Sequence, residues 1–361
     1  MKILLSCLEP SANLHLGEVL KRLPGAEILG IFDERFGEPF MRSGEFSAMG
    51  FVEVLPLIFK AKRAMKKMVE LARECDAVLL IDSPAFNLPL ARKIKEAGAR
   101  APITYYILPQ VWAWKRGRVA LVEKYCDNLA SILPFDAKFY SRATYVGHPL
   151  LDEIKFQKTG EILSAKERGR GENFSGERNL EKIAFLPGSR RAEISRLMPV
   201  YREVSSKLNA RKTLVVPPFF MDKIAEIYGD TSGFEIATNA PKTLKESDFA
   251  FICSGTATLE AALIGTPFTL CYKARAIDIF IARRLVKVAH AGLANIMFDF
   301  MGEPPLHEEL IQEAASAENL LAAYERCDRA KFAAGCARLR DYLKCGSAEA
   351  VAKILLKKDE K

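Results

Sequence analysis

Short apolar runs alternate along this chain with longer segments in which apolar and charged positions recur at helical spacing. The runs predict buried strands, and the segments between them predict amphipathic helices. Strands are predicted at residues 2–7, 27–31, 77–81, 103–107, 128–132 and 144–146, and in a second series at 183–186, 212–216, 234–236, 249–253 and 268–271. Helices are predicted at residues 14–23, 57–74, 84–97, 191–197, 256–264 and 277–287. Such alternation is typical of parallel sheets joined by right-handed crossovers, so the pattern indicates an α/β protein.

The two strand series are separated by residues 155–181, a stretch rich in Lys, Glu, Gly, Arg and Ser that is typical of linkers and exposed connections. A length of 361 residues favours two domains. We therefore predict two Rossmann-like domains with parallel sheets facing a central cleft. The first is placed at residues 1–170 and the second at 171–335, and a C-terminal helix at 336–361 is expected to return to the first domain.

Composition and charge narrow the class of protein. No apolar run reaches the length of a membrane span, and the N-terminus is typical of a first strand rather than a signal peptide, which predicts a cytoplasmic protein. The eight cysteines contain no C-x-x-C pair and the four histidines do not cluster, so we expect structural thiols and no metal site. The net charge of +8 suits phosphate-bearing ligands, nucleic acid or an anionic membrane surface, and does not choose among them.

The segment at residues 249–260 predicts a buried strand, a tight turn of Ser254, Gly255 and Thr256, and a helix that opens directly from the turn. Its unpaired N–H groups and partial positive charge make a helix N-terminus an anion site. Glu260 lies one turn into the helix, where its carboxylate is able to accept hydrogen bonds from sugar hydroxyls. Phosphate and ribose side by side indicate a nucleotide. The alternative is an ordinary connection between strand and helix with a solvated Glu260.

Residues 183–190 form a matching strand and tight turn that ends in Ser189 and Arg190. The Arg190 guanidinium has the fork geometry that grips a pyrophosphate. Two such turns at the carboxyl ends of strands in one sheet favour a nucleotide diphosphate, whereas the alternative is two capped helices with Arg190 on the surface. The sequence has no Walker A motif, no G-x-G-x-x-G and no Asp-x-Asp, so a metal-free stabilisation of a departing diphosphate by Arg190 and two helix N-termini is favoured.

In the first half, Asp82 falls at the end of an apolar strand and is followed by Ser83 and Pro84, which are typical of a helix start. Partial burial at such a strand end raises the pKa of a carboxyl toward that of a general base, although a structural Asp that caps a turn fits the same pattern. The first turn carries Glu9, Ser11 and Asn13, which either bind substrate hydroxyls or cap the following helix.

The predicted helix at residues 57–74 combines an apolar stripe with Lys62, Lys66 and Lys67 among its basic positions. A helix of this kind lies in a membrane interface or packs its stripe against a core, and the two roles are compatible when only one face packs. Trp112, close to Trp114, is suited to stacking on a sugar or an acyl chain, and equally to packing.

Taken in order, these motifs resemble those of the lipid-A-disaccharide synthase family over most of the chain. Residues 82–87 (DSPAFN) are similar to the family's D-x-P-D-F-N. The segments VWAW at 111–114, LPF at 133–135, VGHP at 146–149, LPGSR at 186–190, SGTATLE at 254–260 and ARRLVK at 282–287 follow in the family's order. Each motif is short, but the ordered set is specific.

The resemblance implies a GT-B glycosyltransferase that joins UDP-2,3-diacylglucosamine to 2,3-diacylglucosamine 1-phosphate, with inversion, to give the β-1,6-linked disaccharide 1-phosphate and UDP. The second domain would bind the UDP-sugar and the first the acceptor and the membrane. Asp82 is then the candidate base, with Glu9 as the other candidate. The donor contacts implied are Ser189, Arg190, Ser254, Gly255, Thr256, Glu260 and Asn295. The candidate acceptor or lipid contacts are Ser11, Asn13, Phe86, Asn87, Trp112, Lys62, Lys66 and Lys67.

The expected partners are UDP-diacylglucosamine, diacylglucosamine 1-phosphate and the anionic cytoplasmic face of the inner membrane. No cofactor, metal or nucleic acid is expected, and a homodimer remains open. This sequence departs from the family's G-E-x-S-G-D at Leu8, Ala12 and Asn13, and Ala85 replaces the second Asp of D-x-P-D-F-N. Gly292 and Ala294 likewise replace Ser and Pro of the family's S-L-P-N. Alternatives are another UDP-N-acetylglucosamine-using enzyme of this fold, either a lipid-linked transferase or an epimerase, and a non-catalytic peripheral lipid-binding protein.

Overall fold

A computed structural model describes residues 1–47, 54–154, 180–275 and 288–357 of the chain. These residues divide into two compact units, of which the first comprises Met1–Glu153 with Leu343–Lys361 and the second comprises Ile154–Tyr342. The predicted boundary at residue 170, most of the predicted linker, the predicted helix at 277–287 and the motif at 282–287 lie outside the described residues.

The first unit is built on a parallel sheet of seven strands in the order β3-β2-β1-β4-β5-β6-β7. The strands are β1 Lys2–Ser6, β2 Glu27–Phe32, β3 Met41–Arg42, β4 Ala77–Ile81, β5 Ile103–Tyr106, β6 Asn128–Ser131 and β7 Ala143–Tyr145. The helices are α1 Pro10–Leu20, α2 Gly44–Ser47, α3 Val54–Ala72, α4 Pro84–Glu96, α5 Arg118–Tyr125 and α6 Pro149–Glu153, with 3-10 turns at Glu34–Phe36 and Pro134–Lys138.

The sheet of the first unit is covered on both faces, which is why its central strand β4 is apolar at every position. Strand β4 is buried throughout, and its residues alternate between two cores. Val78 and Leu80 belong to the core that includes Ala64 and Met68 of α3, whereas Leu79 and Ile81 belong to the opposite core. A period of two along each strand therefore fixes which helices cover which face.

The second unit is built on a parallel sheet of six strands in the order β10-β9-β8-β11-β12-β13. The strands are β8 Lys182–Leu186, β9 Arg211–Val215, β10 Glu235–Ala237, β11 Phe249–Cys253, β12 Phe268–Tyr272 and β13 Glu309–Ile311. The helices are α7 Arg191–Lys207, α8 Ile224–Tyr228, α9 Ala240–Glu246, α10 Thr256–Ile264, α11 Leu293–Met301, α12 Ala317–Glu325 and α13 Arg329–Leu343, with 3-10 turns at Pro218–Lys223 and Gln312–Ala314. A core centred on Phe185, Tyr201 and Phe251 fills one face of this sheet.

Every predicted strand is present within one residue of its predicted ends, and the α/β prediction with two parallel sheets is confirmed. Strands β3 and β13 were missed because two or three residues at a sheet edge carry no alternating pattern. None of the helices described is both long enough and apolar enough to pass through a bilayer.

The C-terminal helix α14, Ser347–Leu356, packs on α1 and α6 of the first unit. Asp152 of α6 accepts hydrogen bonds from the main-chain N–H groups of Gly346 and Ala348, at 2.6 and 2.8 Å, and so caps the N-terminus of α14. Gly147 has a φ of +91°, and a Cβ at this position would lie 2.9 Å from the carbonyl oxygen of Cys345. The V-G-H-P motif therefore serves as the contact point for the returning chain.

Candidate functional site

Each sheet contains one pair of neighbouring strands at which the chain order reverses. In the first unit the pair is β1 and β4, and in the second unit it is β8 and β11. Open parallel sheets bind ligands outside the carboxyl ends of such a pair. Glu9 and Asp82 follow β1 and β4, while the Ser189–Arg190 turn and the Ser254–Thr256 turn follow β8 and β11. The structure thus brings Glu9 and Asp82 to the reversal point of the first sheet, and the two predicted turns of the second unit to that of the second sheet.

Asp82 is held in an unusual backbone conformation at the end of β4. Its φ is +51° and that of Ser83 is +45°, so two consecutive residues other than glycine occupy the left-handed region. The main-chain N–H of Asp82 donates to the carbonyl of Tyr106 at 3.0 Å. Its carbonyl oxygen accepts the Tyr105 hydroxyl at 2.6 Å and the Asn87 amide at 2.8 Å. Strain of this kind persists only where surrounding contacts over-determine the conformation, and it concentrates at functional sites.

The environment of Asp82 favours the protonated form of its carboxyl group. Burial raises the pKa of Asp82, and the nearby negative charge of Glu9 raises it further. The main-chain N–H of Ser83 and the His15 side chain act in the opposite direction on this pKa with smaller effect. A raised carboxyl pKa brings a general base closer to the working pH of an enzyme.

Asn87 and Asn13 support these turns from inside the unit. Asn87 has an exposed fraction of 0 %, its amide donates to the carbonyls of Ile81 and Asp82, and its oxygen accepts the Ser6 hydroxyl at 2.6 Å. Asn13 is also buried, and its amide donates to the carbonyl of Glu9 at 2.9 Å. Both side chains therefore bind the main-chain carbonyls of Glu9 and Asp82, the two residues that carry the candidate carboxylates.

The remaining predicted residues of the first turn and of α4 differ in exposure. Glu9 is exposed and precedes the first residue of α1, and Ser11 is half-buried in the first turn of that helix. Phe86 is buried in the core of the first unit. Glu9 thus presents its carboxylate to solvent beside the end of β4.

The two tryptophans lie in different surroundings. Trp112 is buried and packs edge-on against Phe135 at a ring-centroid distance of 5.7 Å. Trp114 is 42 % exposed, with the Lys115 ammonium 4.2 Å and the Arg118 guanidinium 5.4 Å from its ring. Trp114, and not Trp112, therefore presents an aromatic face with neighbouring positive charge at the surface of this unit.

Helix α3 separates its apolar and basic positions onto two faces. Ala64, Met68 and Ala72 are buried and recur every four residues. Lys62, Lys66 and Lys67 are exposed, together with Arg63. The stripe therefore packs against the core, as one of the two roles predicted, and the basic face is left to solvent.

In the second unit, the turn after β8 is shaped by a glycine and a carboxylate. Gly188 has a φ of +100°, which allows the turn before α7. Ser189 and Arg190 are exposed, and the Arg190 guanidinium donates to the carboxylate of Glu193 at 2.8 Å. Glu193 was not among the predicted residues, although a Glu at the third position of a helix is a familiar sign of its N-terminus.

The turn after β11 leads directly into α10. Gly255 precedes the first helical residue, Thr256, and no described side chain caps the helix there. The Thr258 hydroxyl instead donates to the carbonyl of Gly255 at 2.7 Å. Thr256 is exposed and Glu260 is half-buried. The helix thus begins directly after the turn, as the sequence pattern predicts, and anion binding at its N-terminus stays a prediction.

Asn295 lies in α11, at a buried position near this turn. Its amide donates to the carbonyl of His307 and to the carboxylate of Glu309, both at 2.9 Å, and its oxygen accepts the Leu306 N–H at 2.8 Å. Glu309 also accepts the N–H groups of Ala291 and Gly292, and the Ser254 hydroxyl donates to the carbonyl of Ala291. Asn295 and Glu309 thus shape the loop that contacts Ser254. Sequence reasoning missed Glu309 because it lies on the short strand β13.

Side chains that commonly bind metals are dispersed in the part of the chain that the structure describes. Among the described residues, no three or more His, Cys, Asp or Glu side chains come together as a metal would require. Metal independence stays a prediction, since it concerns the reaction rather than the fold.

In a comparison against protein families, the family described as "Lipid-A-disaccharide synthetase" matches residues 3–333. The chain belongs to the lipid-A-disaccharide synthase family. A lipid-A-disaccharide synthase of Campylobacter jejuni (strain RM1221) is 54% identical over 369 residues, covering 98% of this chain and 99% of the relative. One of Helicobacter pylori (strain J99) is 46% identical over 366 residues, covering 97% and 96%.

Solved structures agree on the fold of this synthase family member. CalG4, the calicheamicin glycosyltransferase, has a TM-score of 0.60 at 16% identity and covers 100% of this chain and 99% of its own. MurG of Acinetobacter baumannii has a TM-score of 0.53 at 13% identity, covering 99% of both chains. The expectations of a GT-B fold, of a glycosyltransferase and of a role in lipid A biosynthesis are confirmed at the level of the family.

Proposed function

We propose that this chain transfers the diacylglucosaminyl group of UDP-2,3-diacylglucosamine to the 6-hydroxyl of 2,3-diacylglucosamine 1-phosphate. The products are the β-1,6-linked disaccharide 1-phosphate and UDP. Family membership supports the reaction class, and the residues at the two reversal points support the proposed roles. One holds a candidate base, and the other holds donors suited to a diphosphate.

In the proposed reaction, Asp82 accepts the proton of the acceptor hydroxyl while the hydroxyl oxygen attacks the anomeric carbon of the donor. The bond between that carbon and the diphosphate oxygen breaks, and UDP leaves with the bonding electrons. Attack from the face opposite the leaving group inverts the anomeric configuration. Arg190, Ser189 and the N-terminus of α10 offset the charge that develops on the diphosphate, and Glu260 binds the ribose hydroxyls.

The observation that carries this proposal is the setting of Asp82. A buried carboxyl of raised pKa, fixed in a left-handed conformation by Tyr105 and Asn87, lies at the reversal point of the first sheet. A carboxylate with only a capping role has no need of such strain.

The test is turnover of the two diacylglucosamine substrates in the presence of a metal chelator, with the disaccharide 1-phosphate and UDP both quantified. The parent protein is expected to form both products, and Asp82→Asn is expected to lower kcat by about 10³-fold. Asp33→Asn, which changes a half-buried carboxylate that follows the neighbouring strand β2, serves as the matched control. Full activity in Asp82→Asn would assign the base to Glu9, and a parent protein that forms no disaccharide would contradict the proposed function.

We also propose that the exposed basic face of α3 binds the anionic cytoplasmic surface of the inner membrane. Its lysines point away from the core, while its stripe of Ala64, Met68 and Ala72 anchors the helix to the sheet. Both proposed substrates are acylated, so an enzyme that acts on them works at a lipid surface. Electrostatic attraction of about 1 kcal/mol per basic residue is the magnitude expected near such a surface.

A further inference from the structure

The ion pair of Arg190 and Glu193 joins two side chains of very different exposure. The Arg190 side chain is 78% exposed and the Glu193 side chain is 9% exposed, with 2.8 Å between the guanidinium Nη1 and the carboxylate Oε1. Arg190 stands just before α7, and Glu193 is the third residue of that helix. The buried carboxylate is therefore the fixed member of the pair, and the exposed guanidinium is the member whose position depends on it.

The position of Glu193 is set by the turn that it supports. A Cβ added to Gly188 would lie 2.6 Å from Oε2 of Glu193 and 3.2 Å from the Cys253 sulfur. The carboxylate thus fills the space beneath the glycine turn, next to the end of β11. Glu193 contacts the turn after β8 on one side and lies close to the strand that leads into the Ser254 turn on the other.

A buried carboxylate that loses its partner is left as an uncompensated charge, which is costly. Glu193 therefore favours the conformation in which Arg190 stays bonded to it, whether or not a ligand is present. An arginine side chain has many rotamers, so a guanidinium that is already fixed loses less conformational entropy when it binds an anion.

The pairing with Glu193 leaves most of the Arg190 donors available. Guanidinium groups have five N–H donors. Within the part of the chain that the structure describes, Glu193 is the only group to which the Arg190 side chain is bonded, through one terminal nitrogen. The other terminal nitrogen and Nε remain for a bidentate contact with phosphate oxygens.

We propose that Glu193 is a positioning residue that fixes the Arg190 guanidinium for the diphosphate of the donor. The inference rests on the proposed function, because it assigns the diphosphate of a UDP-sugar to the turn after β8. Glu193 acts through Arg190 and does not itself touch the ligand, since a carboxylate placed against a diphosphate would repel it.

The experiment is a double-mutant cycle on the Kd of UDP, measured by titration calorimetry with the full-length protein. Glu193→Gln keeps the size of the side chain and one acceptor oxygen but removes the charge, and it is expected to weaken UDP binding by about tenfold. Arg190→Gln is expected to weaken binding by about a hundredfold. In the Arg190→Gln background, Glu193→Gln is expected to change the Kd by less than about twofold.

The neighbouring pair of Arg191 and Glu226 provides the matched control. These side chains are both exposed and are joined at 2.6 Å, so Glu226→Gln removes an ion pair one residue away and should leave the Kd of UDP unchanged. Thermal unfolding of each variant checks that it is folded. If Glu193→Gln does not fold, Glu193→Asp replaces it, because this variant keeps the charge but is too short to make the 2.8 Å contact. It is likewise expected to weaken UDP binding by about tenfold.

Two outcomes would overturn the positioning role. One is a Kd of UDP in Glu193→Gln within about twofold of the parent, and the other is an equal loss in the parent and Arg190→Gln backgrounds, which would show that Glu193 acts without Arg190. Either result leaves the proposed function intact, because that proposal fails only when the parent protein forms no disaccharide.

Discussion

The side-chain amide of Asn87 donates a 2.8 Å hydrogen bond to the main-chain carbonyl of Asp82, five residues earlier in the chain. The contact links the first turns of α4 to the strained end of β4, where Asp82 and Ser83 both have positive φ. Because Asn87 also accepts the Ser6 hydroxyl of the neighbouring strand, one buried amide ties together the ends of β1 and β4. The position of the candidate base thus depends on a side chain that does not face solvent.

Asn87→Leu tests this dependence. The substitution keeps the volume but removes the hydrogen bonds, so we expect kcat to fall by about 10- to 100-fold through displacement of Asp82, and the first unit to lose about 2 to 3 kcal/mol. Steady-state kinetics and denaturant unfolding measure the two effects. Asn319→Ala, which removes an exposed amide that donates to the carbonyl of Ala314, is the control. Unchanged kcat in Asn87→Leu would show that Asp82 holds its position without the amide.

Glu9→Gln is expected to move the acidic limb of the pH profile of kcat/KM to lower pH. The negative charge of Glu9 raises the pKa of Asp82. Removal of that charge lowers this pKa, so Asp82 is ionised and able to accept a proton at lower pH than in the parent. A limb that stays in place would show that the group titrating there is not Asp82, and a loss of all activity would favour Glu9 as the base.

The buried carboxyl group of Asp136 is expected to make the stability of the first unit depend on pH, separately from the candidate functional site. Burial raises its pKa to about 7, while the Ser131 hydroxyl, 2.6 Å away, acts in the opposite direction. Because an unfolded Asp has a pKa of about 3.9, the folded protein holds the Asp136 proton more tightly. The contribution of the protonated Asp136 to the free energy of unfolding is therefore complete below about pH 4, and it is lost as the pH rises to about 7.

Asp136→Asn stays neutral, so its stability relative to the parent should increase over that interval, by on the order of 4 kcal/mol. Both tryptophans, Trp112 and Trp114, lie in the first unit, so their fluorescence during denaturant unfolding reports on the unit that contains Asp136. Glu38→Gln, which changes an exposed carboxylate of the same unit, is the control. A parallel pH dependence in the parent and Asp136→Asn would contradict the prediction.

Gly147→Ala tests the contact between the V-G-H-P motif and the returning chain. The new Cβ would lie 2.9 Å from the carbonyl oxygen of Cys345 at a φ of +91°, so we expect a loss of about 3 kcal/mol from backbone strain and overpacking together. Gly98→Ala has a similar φ of +72° but no atom within 4 Å, and should cost about 1 kcal/mol from strain alone. Equal losses in tryptophan-monitored unfolding would show that the contact with Cys345 adds nothing.

The triple change of Lys62, Lys66 and Lys67 to Glu is expected to weaken binding to anionic vesicles by at least about tenfold, because it reverses the charge on the basic face of α3. Cosedimentation with vesicles of mixed phosphatidylglycerol and phosphatidylethanolamine measures it. A control that changes Lys207, Lys242 and Lys245 to Glu alters the net charge equally, at exposed positions of the second unit. Equal weakening in both variants would attribute binding to net charge, and unchanged sedimentation of the first would remove the role from α3.

Strand positions were predictable because a buried strand is a local pattern. Residues 77–81 and 249–253 are continuous apolar runs bounded by polar residues, and the structure has β4 and β11 at those positions. The turns at Gly188 and Gly255 were predictable for the same reason, since a glycine between a strand and a helix marks a turn wherever it occurs. Edge strands as short as β3 lacked such a pattern.

The sequence by itself determined two α/β units, their parallel strands, the turns that carry Asp82, Arg190 and Ser254, and the family. Only the tertiary structure decided which strands are neighbours, and hence that the turns of each unit meet at one reversal point. It also decided that Asn87 and Asn295 hold main-chain groups and that Glu193 anchors Arg190. An amide or a carboxylate has the same chemistry on a surface and in a core, so burial and long-range pairing, which no local pattern encodes, determine whether it contacts a ligand or supports the residue that does.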